Sequence, residues 1–215
     1  MKGITFGILH SFDDLDLILT SKEIGSPEVK ETKIDIPGAD SELDLTEFFG
    51  EAKYSNVTHK FEFSTIVPAS EFLSLFSTIK NALHGKKMRI ILDGDPHFYY
   101  VGRLHVSSFK NEKNIGQISI EADCEPYKYK SQPTIMTVTN SGTQAITLTN
   151  SRKRAVPEVV IANNATAMRI EYQGNIWDLG AGSYTLPELE LVEGANTVTL
   201  TGTGTVVFTW QEAGL

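Results

Sequence analysis

A chain of 215 residues, 40% hydrophobic and 21% charged, is long enough for one large or two small domains and can bury a core without crosslinks. Its one cysteine, Cys124, excludes an intramolecular disulfide, and no run approaches the roughly 20 apolar residues of a membrane helix. The net charge is −8, with 15 basic against 20 acidic residues up to position 130 and 4 against 7 beyond it, so neither half has the surplus of cations needed to grip nucleic acid. Residues 1–7 lack the apolar core and cleavage pattern of a signal peptide, and synthesis in a cytoplasm is expected.

Taken in chain order, residues 4–10 and 17–22 are β-prone runs around the acidic turn Phe12-Asp13-Asp14-Leu15-Asp16, in which Phe12 and Leu15 are expected to anchor while the aspartates face solvent. Residues 25–50 are poor in core-forming side chains, and this region is expected to stand partly away from the body as an extended arm. Within it, Asp35-Ile36-Pro37-Gly38-Ala39-Asp40 reads as a sharp turn. Pro37 fixes φ, Gly38 tolerates φ > 0, and Asp35, Asp40 and Asp44 can accept from nearby N–H groups. An arm of that kind gains its order from a neighbouring subunit, which makes Asp35, Pro37, Gly38, Asp40 and Asp44 candidate oligomer contacts.

From Val57 to Ile66 the alternation of Lys60-Phe61-Glu62-Phe63-Ser64 is that of a strand with one wet face. The one helix follows, with Ser70 as expected N-cap, Gly85 as C-terminal stop, and Phe72, Leu75, Phe76, Ile79 and Leu83 on a single face. Gly94-Asp95-Pro96 marks a hairpin between residues 89–93 and 97–106. Residues 110–114 form the next turn, and Ile118, Ile120 and Ala122 alternate in the strand after it. The first half is therefore an antiparallel β-barrel or sandwich with one α-helix.

Glu125 to Pro133, with two prolines and several lysines, is the expected boundary between domains 1–130 and 131–215. Beyond it Thr, Asn, Gly and Val dominate. Strands are expected at residues 134–139, 145–149, 158–162, 168–172, 182–186, 188–191, 196–201 and 206–211, with turns at Asn140-Ser141-Gly142, Gln173-Gly174-Asn175 and residues 201–205. Many short strands with frequent turns indicate a β-sandwich. Trp210 alternates with Phe208 and is expected in the core, whereas Trp177 is a candidate to stack on a sugar ring.

No chemistry-bearing constellation emerges. The five histidines show no HExxH or paired metal-ligand spacing, and no nucleophile elbow or phosphate loop is present. Asp93 and Asp95 flank a turn glycine, and Lys86-Lys87 with Arg89 and Arg152-Lys153-Arg154 read as solvated loop or strand ends. A non-enzymatic chain without cofactor or metal is expected.

The ordered set His10-Ser11-Phe12-Asp13, then Asp35-Ile36-Pro37-Gly38-Ala39-Asp40 with Leu43-Asp44-Leu45-Thr46, then Leu83-His84-Gly85-Lys86-Lys87, resembles the N-terminal domain of the distal tail (Dit) proteins of long-tailed, non-contractile phages. The resemblance spans roughly the first 130 residues. It implies a hexameric ring, a hub at the virion tail tip joining the tail tube protein to a tail-associated lysin or to baseplate and receptor-binding parts. The ejecting DNA passes through its channel without specific binding, and no membrane is involved. The second half is similar, more loosely, to the galectin-like or carbohydrate-module-like C-terminal domain of such proteins. The alternative reading is a carbohydrate-binding adhesin acting through that C-terminal β-sandwich.

Overall fold

The structure, a computed structural model, describes residues 3–48, 50–65, 67–112 and 115–215. The chain divides into two compact units, residues 1–128 with Leu215 and residues 129–214. It is mainly β with one short helix in the first unit.

In the first unit, strands β1 (Ile4–Phe6), β2 (Leu9–His10), β3 (Ile18–Glu23), β6 (Val57–Thr65), β7 (Lys87–Leu92), β8 (Phe98–Glu112) and β9 (Ile115–Cys124) form a curled antiparallel sheet in the order β2-β1-β7-β8-β9-β6-β3. Between β3 and β6 lie two short strands, β4 (Lys33–Ile34) and β5 (Leu43–Asp44), which pair only with each other. The main strand path ends at β2 and β3 rather than closing on itself, so the barrel is partial. In β6 the strict alternation buries Val57, His59, Phe61, Phe63 and Thr65 on one face, and Ile118, Ile120, Ala122 and Cys124 of β9 lie on the same face.

Helix α1 (Phe72–Leu83) packs on this face through Phe72, Ile79 and Leu83, each essentially inaccessible and worth about 1.5–3 kcal/mol gross. Phe76 stacks on Phe109 at 5.1 Å between ring centroids. The helix does not begin as its sequence suggests. Ser70 lies inside a 3-10 turn, Ala69–Glu71, and makes no capping bond. That turn, closed by the Glu71 N–H donating to the Pro68 carbonyl, leads directly into α1 and so replaces a side-chain cap. Gly85, at φ +77°, does end the helix one residue after His84. In the first acidic turn Leu15 is buried, but Phe12 stays 39% exposed. The carboxylate of Asp14 accepts from the His10 N–H and closes a tight turn with Phe12 at its tip. Of the expected turn at residues 110–114, β8 continues through Glu112, and residues 113 and 114 lie outside the described residues.

The short strand β10 (Lys128–Lys130) leads into the second unit, which is built on one long antiparallel pair of strands distant in sequence. Strands β11 (Thr134–Asn150) and β16 (Gly194–Trp210) pair without interruption from Thr134↔Trp210 to Asn150↔Gly194. The expected turns at residues 140–142 and 201–205 are therefore strand interior, each merging two expected strands into one. A Cβ on Gly204 would fall on Ala165 and one on Gly202 on the Ala167 carbonyl, so these glycines allow close backbone approach rather than chain reversal. Asn140 donates to the carbonyls of Gly142 and Gly202 at 2.8 and 2.7 Å, and fastens the strand pair where the glycines weaken it.

Strands β12 (Glu158–Ile161), β13 (Thr166–Tyr172), β14 (Asn175–Leu179) and β15 (Gly182–Thr185) complete a sheet in the order β14-β13-β16-β12-β15, with β11 on the free side of β16. The expected strand at residues 188–191 is reduced to a single bridge, Ala155↔Leu191. The short β17 (Ala213–Gly214) pairs with β10. Residues along the whole length of the β11–β16 pair and from the strands beside it share one core, with Met168, Ile170, Leu148 and Leu200 beside Val159, Val206 and Phe208. Strands β13 and β12 pair with successive stretches of the same edge of β16, residues 199–203 and 206–209.

Candidate assembly surface

The arm leaves the first unit at Gly25, whose N–H donates to Nδ1 of the buried His59 at 3.2 Å. A Cβ there would come within 2.8 Å of the Thr58 carbonyl oxygen, so only glycine lets the chain turn away so close to β6. Two antiparallel legs then run outward. Ser55 N–H donates to Glu28, Lys30 to Lys53 and Leu45 to Thr32, all at 2.8–2.9 Å, with the bridge Val29↔Tyr54 near the root. At the far end β4 and β5 pair as Lys33↔Asp44 and Ile34↔Leu43. The tip is a turn from Ile36 to Ala39, closed by a 3.0 Å bond from the Ala39 N–H to the Ile36 carbonyl. Pro37 precedes Gly38 at φ +88°, the arrangement of a type II turn.

Four of the five candidate contacts lie at this tip: Asp35, Pro37, Gly38 and Asp40, all exposed. Asp44 lies in β5, where its Oδ1 accepts from the Thr46 N–H at 2.9 Å. Hydrogen bonds from Thr46, with Lys33 opposite, hold its carboxyl below the ordinary range, so its charge stiffens the arm itself. Lys33 is raised by its hydrogen bond and charge pairing with Glu31.

Composition arguments missed the arm's apolar face. Ile34 and Leu43 are 48% and 46% exposed and sit directly opposite each other, which puts both side chains on one side of the hairpin. Ile36, where the tip turn begins, is 43% exposed, and Phe48 near the return leg is 71% exposed. The alternation Ile34-Asp35-Ile36 and Leu43-Asp44-Leu45 carried the signal, since a strand with one apolar face has this pattern even when no core of its own lies beneath it.

The other singled-out residues are structural in their own units. Asp93 accepts from the Gly3 N–H at 2.6 Å and from His10 Nε2 at 3.2 Å. Burial raises its pKa, but these bonds outweigh burial and lower it. Asp95 accepts from Lys128 at 3.2 Å, so the two aspartates do not converge on a shared cleft. Lys87 pairs with Glu125 at 2.6 Å, Arg89 lies over the Tyr99 ring and Arg154 pairs with Glu190 at 2.8 Å. Cys124 is buried, and burial pushes its thiol up to about 12. Trp210 is core, and Trp177, opposite Ile170, is half-buried against the second core. Among the described residues there is no group of three His, Cys, Asp or Glu able to hold a metal, and no helix long and apolar enough to cross a membrane.

Comparison with solved structures reveals a match over the whole chain. The Dit protein (gp 19.1) of phage SPP1, described as "a Paradigm of Hub Adsorption Apparatus in Gram-positive Infecting Phages", superposes with a TM-score of 0.73 over 98% of this chain and 99% of that one, at 12% identity. The two chains share a fold. A component of the phage p2 baseplate in its activated conformation with Sr gives a TM-score of 0.47 at 8% identity over 99% of this chain and 98% of that one, too low to identify a common fold by itself. No protein-family model matches the chain, and neither does any curated protein.

Proposed function

We propose that this chain is a distal tail protein of a long-tailed, non-contractile phage, a structural hub with no enzymatic role. The observation that carries the reading is the end-to-end fold likeness to SPP1 Dit. The projecting arm supports it, because the arm presents apolar side chains that its own subunit leaves about half exposed. In this reading identical copies close into a hexameric ring at the virion tail tip after assembly in the host cytoplasm. The arm of each copy engages its neighbour through Ile34, Ile36 and Leu43, with Asp35, Pro37, Gly38, Asp40 and Asp44 shaping and flanking that contact. The ring joins the tail tube protein to a tail-associated lysin or to baseplate and receptor-binding parts, and its channel passes DNA. A chain of net charge −8 suits a conduit that does not hold the polymer. In this reading the second unit is a separate module with a galectin-like β-sandwich fold.

Light scattering of the purified protein, alone and mixed with tail tube protein, tests this. The expected mass is six times the monomer, and Ile34→Asp with Leu43→Asp should return it to the monomer while leaving the far-ultraviolet circular dichroism unchanged. A wild-type protein that stays monomeric in both settings at high concentration overturns the reading.

A further inference from the structure

We propose that His59 is a proton-operated latch on the arm, which fixes the arm's root against β6 at neutral pH and lets it lift away in mild acid. The inference concerns a hinge inside one copy and does not depend on ring formation.

Strand register puts the latch where main-chain pairing stops. The ladder between β3 and β6 ends at Glu23↔Lys60. Two residues later the Gly25 N–H donates to His59 Nδ1 at 3.2 Å, so a side chain makes the bond just beyond the point where the ladder gives out. Further along, the leg is bonded to the arm's own returning leg, Glu28 to Ser55 and Lys30 to Lys53. The two legs therefore hold each other, and the imidazole fastens the outgoing one to the sheet.

The chemistry of the ring makes this bond conditional. Because Nδ1 accepts, the neutral ring carries its proton on Nε2. His59 is 1% exposed, and among the described residues its Nε2 meets no partner. The other inward side chains of β6, Val57, Phe61, Phe63 and Thr65, do not titrate in this range. A leucine would fill the position without an orphaned donor, so what histidine adds is an acceptor for Gly25 and the capacity to lose it. A second proton enters at Nδ1, and two donors then face each other across the former bond.

The titratable groups around the ring do not compensate its charge. Tyr100 of β8 packs against it at 4.5 Å between ring centroids, and burial pushes the Tyr100 hydroxyl up. Cys124 of β9 stays a thiol, pushed up to about 12. Lys128 and the last residue, Leu215, line the recess beside the ring, and Asp95 accepts from Lys128 at 3.2 Å. Burial lowers the pKa of His59 accordingly.

There is room for the root to move. A recess of about 360 Å³ is lined by Ile24, Ser26 and Pro27 of the root and by Val57, His59 and Tyr100 of the sheet. With the root lifted, water reaches the imidazole, which then titrates near its ordinary value of about 6.5. Opening therefore takes up a proton. Closure is complete above about pH 6.5 and weakens below it by up to about tenfold per pH unit, until the closed form is protonated as well.

Hydrogen–deuterium exchange of the full-length protein, read by mass spectrometry from pH 8 to pH 5, tests the latch at two atoms. Corrected for the chemical exchange rate, protection of the Gly25 amide should be greatest above about pH 7 and about threefold to tenfold weaker at about pH 5.5. Exchange of the His59 ring C–H should show a midpoint lower in the native protein than in urea. His59→Gln, which takes up no proton in this range, should hold Gly25 protection constant to within about twofold. Wild-type protection that does not change with pH, an equal fall in His59→Gln, or a His59 midpoint at or above its value in urea overturns the assignment. Should His59→Gln fail to fold, the two wild-type readings decide by themselves. Particle mass, measured on the same samples, separates release of the arm from loss of the ring.

Discussion

Glu212 closes the second unit, and its replacement by Gln has a calculable cost. Its carboxylate is 7% exposed and accepts from Lys130 Nζ at 2.5 Å, Ser151 Oγ at 2.5 Å and the Thr134 hydroxyl. It thus ties together the segment entering the unit, the first residue of β11 and the loop that follows β11. Hydrogen bonds to an ionised acceptor are about twice as strong as neutral ones. Gln keeps an acceptor oxygen but loses the charge, and Lys130, 39% exposed, partly rehydrates. The expected loss is about 2–3 kcal/mol. The chain's two tryptophans, Trp177 and Trp210, both belong to the second unit, so indole fluorescence in urea follows that unit alone. With a urea slope of about 1–3 kcal/mol/M, the midpoint should fall by about 0.7–3 M.

The pH dependence fixes the cause. Burial alone would raise this carboxyl, but the bonds from Lys130, Ser151 and Thr134 outweigh it and hold the group below its ordinary range. The unfolded carboxyl titrates near about 4.3. Its contribution is therefore complete above that pH and is lost as pH falls through the lower native value. The gap between wild type and Glu212→Gln should be largest at neutral pH and narrow below about pH 4. An unchanged midpoint, or a gap constant into strong acid, refutes this account of what holds the unit shut.

Two further outcomes are expected. Gly204→Ala places a Cβ against the Ala165 backbone at a residue with φ +134°. It should cost the second unit about 2–5 kcal/mol by the same fluorescence measurement, whereas Gly174→Ala, at φ +84° in an open turn with nothing nearby, should cost about 1 kcal/mol. Equal effects would mean that backbone conformation alone, not close approach, places glycine at 204. Cys124, its thiol pushed up to about 12 by burial, should react with iodoacetamide at pH 8 about a thousandfold more slowly in the native protein than in urea. Comparable rates would show that β9 opens readily.

Much of the fold was legible because its signals are local. Lys60 to Ser64 alternates as the observed β6 does, and the apolar spacing from Phe72 to Leu83 defines both the helix and its buried face. What escaped depends on partners distant in sequence. Asn140-Ser141-Gly142 and Gly202-Thr203-Gly204 are turn-like by composition, yet each finds the other across the β11–β16 pair, and only that pairing makes them strand. Strand β14 was hidden because the turn is confined to Gln173 and Gly174, both at positive φ, so the next strand begins at Asn175. On the arm, attention to prolines, glycines and aspartates identified the turn correctly but overlooked the aliphatic residues between them.

Those aliphatic residues bear on how copies could join. Ile34, Ile36 and Leu43 are a little under half exposed and Phe48 rather more, so covering all four removes about half of each side chain's surface from water, worth roughly 1 kcal/mol apiece and about 4 kcal/mol per arm. Association costs an estimated 4–15 kcal/mol in lost translational and rotational freedom. One arm laid on one neighbour therefore roughly balances its own cost, and an open pair held only that way would be weak. A head-to-tail contact repeated around a closed ring changes the balance, because the final subunit makes two contacts while losing its freedom once. On this arithmetic an arm of modest apolarity, with Asp35, Glu42 and Asp44 alternating with the aliphatic positions, would favour closure over dimers.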